Sequence, residues 1–388
     1  MKILIVIDYY QPKLGYSDSF LAKNFKKFGH EVKILTSNFY FPFPDYDSTV
    51  KKVLGKRELP IGKEVYDGLE IFRQKMIREI FTRAIFSGHE SLLNTFKPDL
   101  VLVNKAASYN AVRMCQLKDQ FKYKLYSYDS HLPSELEREN LFVKKIVYFI
   151  FRLFFANIIN SRIDKFIAVQ EKTKIILKDF YGVKKNITVI PLGTDTDRFK
   201  FNAKVRSEIR KKNEIGNQDF VIIYAGKLIE SKGVDILFKA FNELCKKNLH
   251  IKLMIVGEGS KEYTDFCLSK LDKKYHSKVI WIEFQRPENL YKYYSASESG
   301  VWPLQESTSM NDAASNSLPF IANDTVGDKT RISNNNGLLY KKGDYKELAK
   351  KIEYLYNNPM ERKQMGKKGR ELAVGKLSWE ITAAKFLQ

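Results

Sequence analysis

Cysteine is scarce in this chain, with three residues among 388. Cys115, Cys245 and Cys267 form no CxxC pair, so the sequence indicates neither a disulfide framework nor a zinc site. Buried thiols in a reducing cytoplasm are the simpler interpretation of three scattered cysteines.

Long apolar runs are also missing. No stretch of about eighteen uncharged apolar residues occurs, so the sequence predicts no membrane span. The apolar run at residues 1–8 is too short for a signal peptide and is expected to form a first buried strand. We therefore expect a cytoplasmic protein that is not exported.

Positive charge is what the chain has in excess. Its 66 Lys and Arg residues outnumber 45 Asp and Glu residues, which gives a formal charge of +21. Such an excess predicts an anionic partner, namely a membrane surface, a nucleic acid or a phosphorylated small molecule. The sequence has no zinc-finger spacing, no RNP-like aromatic strand and no basic low-complexity tail, so we do not expect it to bind nucleic acid.

Apolar, β-branched segments alternate with helical segments along the whole chain, and this alternation predicts parallel, doubly wound α/β sheets. Doubly wound sheets bind ligands beyond the carboxyl ends of their strands. A cleft between two such units is therefore the expected active site. The predicted strands cover residues 1–8, 31–36, 99–104, 123–128, 165–169 and 187–190 in the first half, and 220–224, 251–256, 279–282, 300–302 and 319–322 in the second.

Four short motifs follow one another along the chain: Gly29-His30-Glu31-Val32, Ile190-Pro191-Leu192-Gly193-Thr194-Asp195, Ala225-Gly226-Lys227 with Lys232-Gly233, and Val256-Gly257-Glu258-Gly259. Their order and spacing resemble glycosyltransferase family 4 essentially from end to end. The resemblance implies the GT-B fold, in which two doubly wound Rossmann-like domains face each other across a cleft. It implies an N-terminal acceptor-binding domain at residues 1–190, a C-terminal nucleotide-sugar-binding domain at 191–360, and crossover helices at 361–388 that pack back on the N-terminal domain.

The resemblance places the diphosphate of the donor beside two lysines. Lys227 follows a predicted strand, and Gly226 before it lets the backbone approach the ligand. Lys232 opens the next helix, whose N-terminal amides also attract an anion. The family usually has Arg at the first of these positions, so Lys227 keeps the charge and loses the planar fork. Gly257 belongs to the same expected donor site.

The stretch of residues 302–321 predicts a strand, an acidic loop, a short helix and a second strand. It resembles the family's donor loop, in which one acidic residue precedes a glycine-rich stretch and a second acid opens the helix eight residues later. In this chain Glu306 and Asp312 are only six residues apart. Three hydroxyl-bearing residues replace the glycines: Ser307, Thr308 and Ser309.

Two interpretations of this loop remain open. In the first, Glu306 is a catalytic residue that contacts a donor hydroxyl, the three hydroxyl-bearing residues hold the phosphate, and Asp312 accepts from the ribose hydroxyls. In the second, Glu306 and Ser307 only cap the helix. The first is favoured because the flanking pairs Trp302-Pro303 and Leu318-Pro319 are kept.

Two further features belong to the expected acceptor side. Gly15 lies after the first strand, where the family has a glycine-containing loop that faces the cleft, although a plain turn also explains it. His131 follows the strand that ends near Asp129, where the family often carries a histidine near the transferred sugar. We expect His131 to bond a sugar hydroxyl and Asp129 to orient or replace it, while a structural role for a lone histidine remains the alternative.

No metal or other cofactor is expected. Asp195-Thr196-Asp197 has a DxD spelling, but it aligns with the family's Gly-Val-Asp element. Lys227, Lys232 and helix-terminal amides are instead expected to neutralise the leaving diphosphate. The resemblance also implies transfer with retention, in which the departing phosphate takes the proton of the acceptor.

The resemblance implies a hexosyltransferase-type enzyme that moves a sugar from a nucleotide-diphosphate donor to a glycan or lipid-linked acceptor in cell-surface polysaccharide or lipopolysaccharide biosynthesis. A nucleotide-sugar epimerase, and a degenerate relative that binds nucleotide or membrane without turnover, remain alternatives. Residues 141–155 mix aromatic and cationic side chains, which fits either a helix at an anionic membrane surface or a buried helix. We expect peripheral association with the inner face of the cell membrane.

Overall fold

The computed structural model describes residues 1–43, 46–131, 141–326 and 329–388. The chain forms two compact units, each with its own apolar core. The first unit comprises Met1–Leu192 together with Thr382–Gln388, and the second comprises Gly193–Ile381.

The first unit is built on a large, mainly parallel sheet. Its strands are β1 Lys2–Ile7, β2 Glu31–Ser37, β3 Gly62–Tyr66, β4 Leu69–Gln74, β5 Met76–Ile80, β6 Arg83–Phe86, β7 Leu100–Asn104, β8 Lys124–Asp129, β9 Lys165–Ala168 and β10 Ile187–Val189. Eight of them form one sheet in the order β10-β9-β8-β7-β1-β2-β4-β3, in which only β3 runs antiparallel to its neighbour. Strands β5 and β6 form a separate antiparallel hairpin.

Helices cover this sheet. Strand β1 is buried at every position after Lys2, as is typical of a parallel strand covered on both faces. Neither the 22-residue helix Leu141–Arg162 nor any other helix in the described chain is long and apolar enough to cross a membrane. The α-helices are α1 Ser17–Lys27, α2 Tyr46–Thr49, α3 Lys51–Leu54, α4 His89–Phe96, α5 Tyr109–Phe121, α6 Leu141–Arg162 and α7 Thr173–Ile175.

The second unit contains a fully parallel sheet of six strands. They are β11 Phe220–Ala225, β12 Ile251–Val256, β13 Val279–Ile282, β14 Ser299–Trp302, β15 Phe320–Asn323 and β16 Gly337–Tyr340. Their spatial order is β13-β12-β11-β14-β15-β16, so the winding reverses between β11 and β14. The helices are α8 Ala203–Lys212, α9 Val234–Cys245, α10 Lys261–Leu268, α11 Leu290–Ala296, α12 Ser309–Ser315, α13 Tyr345–Asn357 and α14 Pro359–Lys376, followed by α15 Trp379–Leu387.

These two sheets confirm the predicted doubly wound α/β fold, and every predicted strand is present. The three cysteines are buried and free, as their spacing predicts. Five strands were not predicted, namely β3, β4, β5, β6 and β16. Strand β4 alternates buried and half-buried residues over Leu69–Gln74 because it lies near the edge of the sheet, where charged side chains break the apolar run.

The chain end is divided differently from the predicted segment 361–388. Helix α14 packs on α12 inside the second unit, because Gly366 lets its backbone approach so closely that a Cβ there would lie 2.2 Å from the Ser317 carbonyl oxygen. Only Thr382–Gln388 belongs to the first unit, where Phe386 packs on Tyr128 with ring centroids 5.8 Å apart. The returning segment is therefore shorter than expected.

Candidate active site

The predicted donor loop lies at the switch point of the second sheet, where the carboxyl ends of β11 and β14 are neighbours. Doubly wound sheets bind ligands at such points. Gly226 and Lys227 follow β11, and residues 303–308 follow β14 before α12 begins at Ser309. The hydroxyl of Ser309 lies 3.3 Å from the carbonyl oxygen of Ala225 and donates to it, so the two segments are in contact.

Gly226 and Gly257 allow two loops to meet backbone to backbone. A Cβ at Gly257 would lie 2.0 Å from the Gly226 carbonyl oxygen, and the φ of Gly257 is +142°. The Gly226 amide donates to the carbonyl of Val256 at 3.0 Å, and the Gly257 amide donates to that of Ile282 at 3.0 Å. Both amides thus continue the hydrogen bonding of the sheet, and the glycines serve the close contact between the loops.

Lys232 is held against the donor loop by the glycine that follows it. Gly233 has φ +67°, and a Cβ there would lie 2.4 Å from the side chain of Leu304. The Lys232 ammonium donates to the carbonyl oxygen of Glu306 at 3.2 Å. At Lys227, burial of the ammonium group lowers its pKa. The two predicted cations therefore belong to the same end of the second sheet as the loop.

Buried Trp302 fixes both ends of the loop. Its indole Nε1 donates to the hydroxyl of Ser309 at 3.0 Å, and that hydroxyl lies 2.8 Å from the Ser307 hydroxyl. The Ser307 carbonyl accepts from the amide of Met310 at 3.1 Å. Thr308 is the exposed N-cap residue of α12, and its side chain makes no capping hydrogen bond in the described structure. Two of the three predicted phosphate-binding hydroxyls thus have a role in the loop itself.

Arg331 is a buried cation of this site that the sequence interpretation missed. Its Nη1 donates to the carbonyl oxygen of Ser307 at 2.6 Å, and its Nε lies 3.8 Å from Glu306 Oε2. The Arg331 and Glu306 side chains are only 7% and 12% exposed, so this ion pair is largely removed from water. Arg331 and Lys232 thus bond the backbone carbonyls of two successive loop residues. Arg331 lies far from Glu306 in sequence, and no local pattern connects them.

Asp312 is fixed by a residue at the start of the second unit. Its Oδ1 accepts from the hydroxyl of Thr194 at 2.6 Å. Burial raises the pKa of Asp312 to about 7, although the Thr194 hydrogen bond opposes this shift. The predicted ribose acceptor therefore has a fixed orientation and changes its charge near neutral pH.

Asp195, the first residue of the DxD spelling, lies in a turn. Its Oδ1 accepts from the Arg198 amide at 3.1 Å, and its Oδ2 lies 3.9 Å from the Arg198 guanidinium. Over residues 1–43, 46–131, 141–326 and 329–388, no group of three or more His, Cys, Asp or Glu side chains is arranged to hold a metal ion.

In the first unit, polar side chains gather where β1, β7 and β8 end side by side. Asp8 follows β1, Lys105 follows β7 and Asp129 ends β8. Asp8 Oδ1 accepts from the Asn110 amide at 2.7 Å, and Asn110 Oδ1 lies 3.0 Å from Nε2 of His89. Burial raises the pKa of Asp8 and lowers the pKa of His89 to about 4. These shifts favour the neutral form of each group.

His131 and Asp129, which were predicted for the acceptor side, lie close together. The His131 amide donates to Asp129 Oδ1 at 2.8 Å, and His131 Nδ1 lies 3.7 Å from the same oxygen. That ring nitrogen is also 3.0 Å from the hydroxyl of Tyr181. Burial raises the pKa of Asp129, whereas burial and the charge of Lys105 hold the pKa of His131 well below 6.5. His131 is therefore a neutral imidazole at pH 7.

Arg83, the first residue of β6, is a further cation of this region that the sequence interpretation missed. Burial by itself lowers the pKa of its guanidinium, but the surrounding hydroxyls and carboxyls raise it beyond its ordinary value. An arginine stays protonated across the physiological pH range, so its positive charge can balance part of the negative charge of neighbouring acids. The groups that act on Arg83 are Tyr181, Tyr148, Asp8 and Asp129.

Gly15 ends the 3-10 turn Pro12–Leu14 with φ +63°, two residues before helix α1 begins at Ser17. The preceding Tyr9 and Tyr10 are buried, and the Tyr10 hydroxyl accepts from Ser19 at 2.9 Å. This geometry accounts for Gly15 as the left-handed residue of a packed strand-to-helix turn.

Two family models match the chain. The model described as Glycosyltransferase Family 4 matches residues 20–198, and the model described as Glycosyl transferases group 1 matches residues 205–372. The first match covers most of the first unit, and the second covers most of the second unit.

Several curated proteins are about 25% identical to this chain over the segments that align. The capsular polysaccharide biosynthesis glycosyltransferase CapM of Staphylococcus aureus is 27% identical over 229 residues, which are 55% of this chain and 58% of CapM. The lipopolysaccharide 1,2-N-acetylglucosaminetransferase of Salmonella typhimurium is 24% identical over 237 residues, 54% of this chain and 58% of the relative. The chain thus spans a little under three-fifths of the length of these relatives.

Solved structures share the fold over nearly their full length. HepE of Anabaena in complex with UDP has a TM-score of 0.72 at 16% identity, with coverage of 100% of this chain and 98% of HepE. The sucrose-phosphate synthase of Thermosynechococcus elongatus has a TM-score of 0.72 at 17% identity, with the same coverages. With both halves matched and the fold shared, the chain is a GT-B protein of the glycosyltransferase family 4 type.

Proposed function

We propose that this protein is a retaining, metal-independent glycosyltransferase of the hexosyltransferase type. It transfers a sugar from a nucleotide-diphosphate donor to a glycan or lipid-linked acceptor during cell-surface polysaccharide or lipopolysaccharide biosynthesis. Its place of action is the cytoplasmic face of the cell membrane. The names of its relatives support this biosynthetic setting, since they include capsular polysaccharide and lipopolysaccharide glycosyltransferases.

The observation that carries the proposal is the loop after β14 at the switch point of the second sheet. Its acidic residue Glu306 is largely buried beside Arg331, while Lys232 bonds the backbone of the same loop. A carboxylate that faces a buried cation, in a loop whose backbone is bonded by a second cation, is held in one position, as a group that recognises a reacting sugar must be. A helix cap has no need of this arrangement.

A nucleotide sugar is the donor that suits this site best. Two cations, Lys227 and Lys232, lie at the carboxyl end of the sheet, where a diphosphate binds in doubly wound folds. Related proteins point to the same class, because HepE binds UDP and glucose and a Corynebacterium glutamicum relative is named as GDP-mannose-dependent. We therefore place the nucleotide in the second unit.

The proposed chemistry exchanges one bond at the anomeric carbon for another. The bond from that carbon to the phosphate oxygen breaks as the acceptor oxygen approaches on the same face, so the configuration is retained. The proton of the acceptor hydroxyl passes to the leaving phosphate. Donor and acceptor therefore supply every atom of the products, and no further reagent is needed. Lys227 and Lys232 stabilise the negative charge that grows on the leaving group.

His131 is proposed to bond a sugar hydroxyl, and Asp129 to hold it in place. A neutral imidazole can accept a hydrogen bond at one ring nitrogen and donate at the other. Since Nδ1 of His131 is already near the Tyr181 hydroxyl, Nε2 is the nitrogen left for substrate. The backbone contact with Asp129 fixes the position of the ring.

A panel of nucleotide sugars with candidate acceptors tests this function. We expect nucleoside diphosphate release that depends on the acceptor, and a product whose anomeric configuration by NMR equals that of the donor. Glu306→Gln should lower the turnover by about a hundredfold, while the exposed control Glu262→Gln should leave it unchanged.

Other outcomes of the panel would replace the proposal. Conversion of the donor into an isomer without any acceptor would indicate an epimerase. Binding of nucleoside diphosphates by calorimetry without release from any donor would indicate a degenerate relative. Inversion at the anomeric carbon would contradict the retaining mechanism alone.

A further inference from the structure

Helix α6 carries an apolar stripe on its exposed side. Residues three and four positions apart share one face of a helix, and these side chains follow that spacing over about three turns. The segment Leu141–Arg162 contains no acidic residue, so nothing of negative charge interrupts the stripe. Its members and their exposed fractions are Phe142 72%, Ile146 44%, Phe149 57%, Ile150 48%, Leu153 66% and Phe154 68%.

The hairpin of β5 and β6 extends this stripe. Ile77, Ile80 and Phe81 are 64%, 39% and 52% exposed, and the ammonium of Lys144 on α6 lies 5.7 Å from the centre of the Phe81 ring. Phe81 and Thr82 form the tip with φ of +46° and +62°, a conformation that favours Asn or Gly. Hairpin stability does not account for a phenylalanine at this position, because the left-handed backbone is strained there and half of the residue is exposed.

Cations flank the stripe beside an apolar groove. The groove has a volume of about 550 Å³, and Phe149, Tyr148 and Phe180 belong to its lining. Lys145 and Arg152 also line it, and the Arg152 guanidinium donates to the Asp179 carbonyl at 2.9 Å. Apolar lining suits the hydrocarbon chains of a lipid, and the neighbouring cations suit its phosphate group.

We propose that a docking face made of the α6 stripe and the hairpin residues Ile77, Ile80 and Phe81 binds an anionic lipid bilayer. Burial of apolar side chains at the headgroup boundary supplies the main driving force, and the cations add attraction to anionic lipids. A second copy of the chain fits less well, because each copy has a formal charge of +21 and like charges repel.

Docking through this face sets the class of acceptor. The hairpin carries Arg83, and α6 carries Tyr148, whose ring lies 5.2 Å from that of Tyr181. Tyr181 in turn bonds His131, so the docking face and the acceptor-side polar residues share the same elements. We therefore infer that the acceptor is a lipid-linked sugar presented in the bilayer and not a free glycan. This inference rests on the proposed transferase function.

Vesicle sedimentation tests the docking face with the full chain and no donor. We expect the protein to pellet with vesicles of phosphatidylcholine and phosphatidylglycerol, and to bind vesicles of phosphatidylcholine alone about tenfold more weakly. The double variant Phe149→Glu with Leu153→Glu should lose at least about tenfold in binding, and Phe81→Glu should lose a smaller part. Met360→Glu is the matched control, since Met360 is 79% exposed in the second unit and should bind as the wild type does.

Three results would contradict the proposal that the docking face binds a bilayer. One is wild-type protein that stays in the supernatant with anionic vesicles. Another is a double variant that pellets like the wild type although its circular dichroism is unchanged. The third is light scattering that shows a wild-type dimer and a monomeric double variant, because the face would then join two copies.

Failure of the transferase function leaves a different signature. If vesicle binding depends on the docking face but no nucleotide sugar is turned over, the proposed transferase function is contradicted and the proposed membrane docking is supported. If a lipid-linked acceptor and its water-soluble headgroup are turned over equally in the presence of vesicles, the proposed lipid-linked acceptor is contradicted and the transferase function is supported.

Discussion

At residues 307–309 the chain has hydroxyl side chains where the family has glycine, and its donor loop is held by side chains from elsewhere. Arg331 bonds the Ser307 carbonyl and faces the Glu306 carboxylate, while Lys232 bonds the Glu306 carbonyl. The serine hydroxyls bond each other and the end of β11. A loop fastened in this way depends on its distant partners more than a glycine loop does.

Arg331→Met should therefore impair the donor site. It removes a charge-assisted hydrogen bond and leaves Glu306 without its cation, so we expect donor binding to weaken by about 2 kcal/mol and turnover to fall at least tenfold. Calorimetry with nucleoside diphosphates and steady-state rates measure the two effects. Lys329→Met, an exposed change on the same turn, is the control, and equal rates in both variants would remove Arg331 from the site.

His131→Ala should lower turnover by about tenfold, as expected for the loss of one hydrogen bond to a sugar hydroxyl. Because the pKa of His131 lies well below 6.5, the wild-type rate should show no inflection from this residue between about pH 6 and pH 8. Rates across this range measure both points. The exposed His250→Ala is the control, and a wild-type rate in the His131 variant would leave the residue with a structural role only.

Asp312 should make stability depend on pH. Its folded pKa of about 7 exceeds the ordinary value of 3.8, so its contribution to stability is complete below pH 3.8 and is lost as the pH rises through about 7. Asp312→Asn should therefore lose less unfolding free energy than the wild type between about pH 4 and pH 7. Denaturant unfolding over this range compares the two proteins with the exposed control Asp265→Asn. Parallel curves for wild type and Asp312→Asn would show that burial does not shift this carboxyl.

At the scale of elements, the predictable parts were those with a strong local pattern. The central strands are continuous apolar runs, and all of them were predicted from the sequence. Strands β3 to β6 and β16 are short, half-exposed or rich in charge, so their structure depends on neighbours in the sheet. The acidic loop could be predicted because its flanking pairs are local, whereas Arg331, Arg83 and Tyr181 are joined to the candidate sites only by folding.

Gly257→Ala tests the contact between the loops that follow β11 and β12. Its Cβ would meet the Gly226 carbonyl at 2.0 Å, so we expect a loss of about 2 kcal/mol in unfolding free energy and weaker donor binding. Gly375→Ala is a suitable control, because nothing lies within 4 Å of its Cβ and alanine favours the helix α14. A Gly257 variant as stable as the wild type would mean that the loops separate without cost.

At the scale of the whole molecule, the last seven residues belong to the first unit. Phe386 is 1% exposed and packs on Tyr128, so Phe386→Ala should destabilise that unit by about 3 kcal/mol. Hydrogen exchange should become faster in β8 and remain unchanged in β11. Lys385→Ala, an exposed neighbour, is the control, and equal effects on both strands would show that the two units unfold together.

Because Thr382–Gln388 completes the first unit, that unit is discontinuous and the second is inserted into it. A ribosome adds about 5–20 residues each second, so the residues Gly193–Ile381 take roughly 10–40 s to make. During that interval the nascent first unit has its sheet but lacks the segment that covers Tyr128. Closure of the first unit therefore follows the synthesis of the whole second unit. A chain that stalls before Thr382 exposes an apolar site that chaperones recognise.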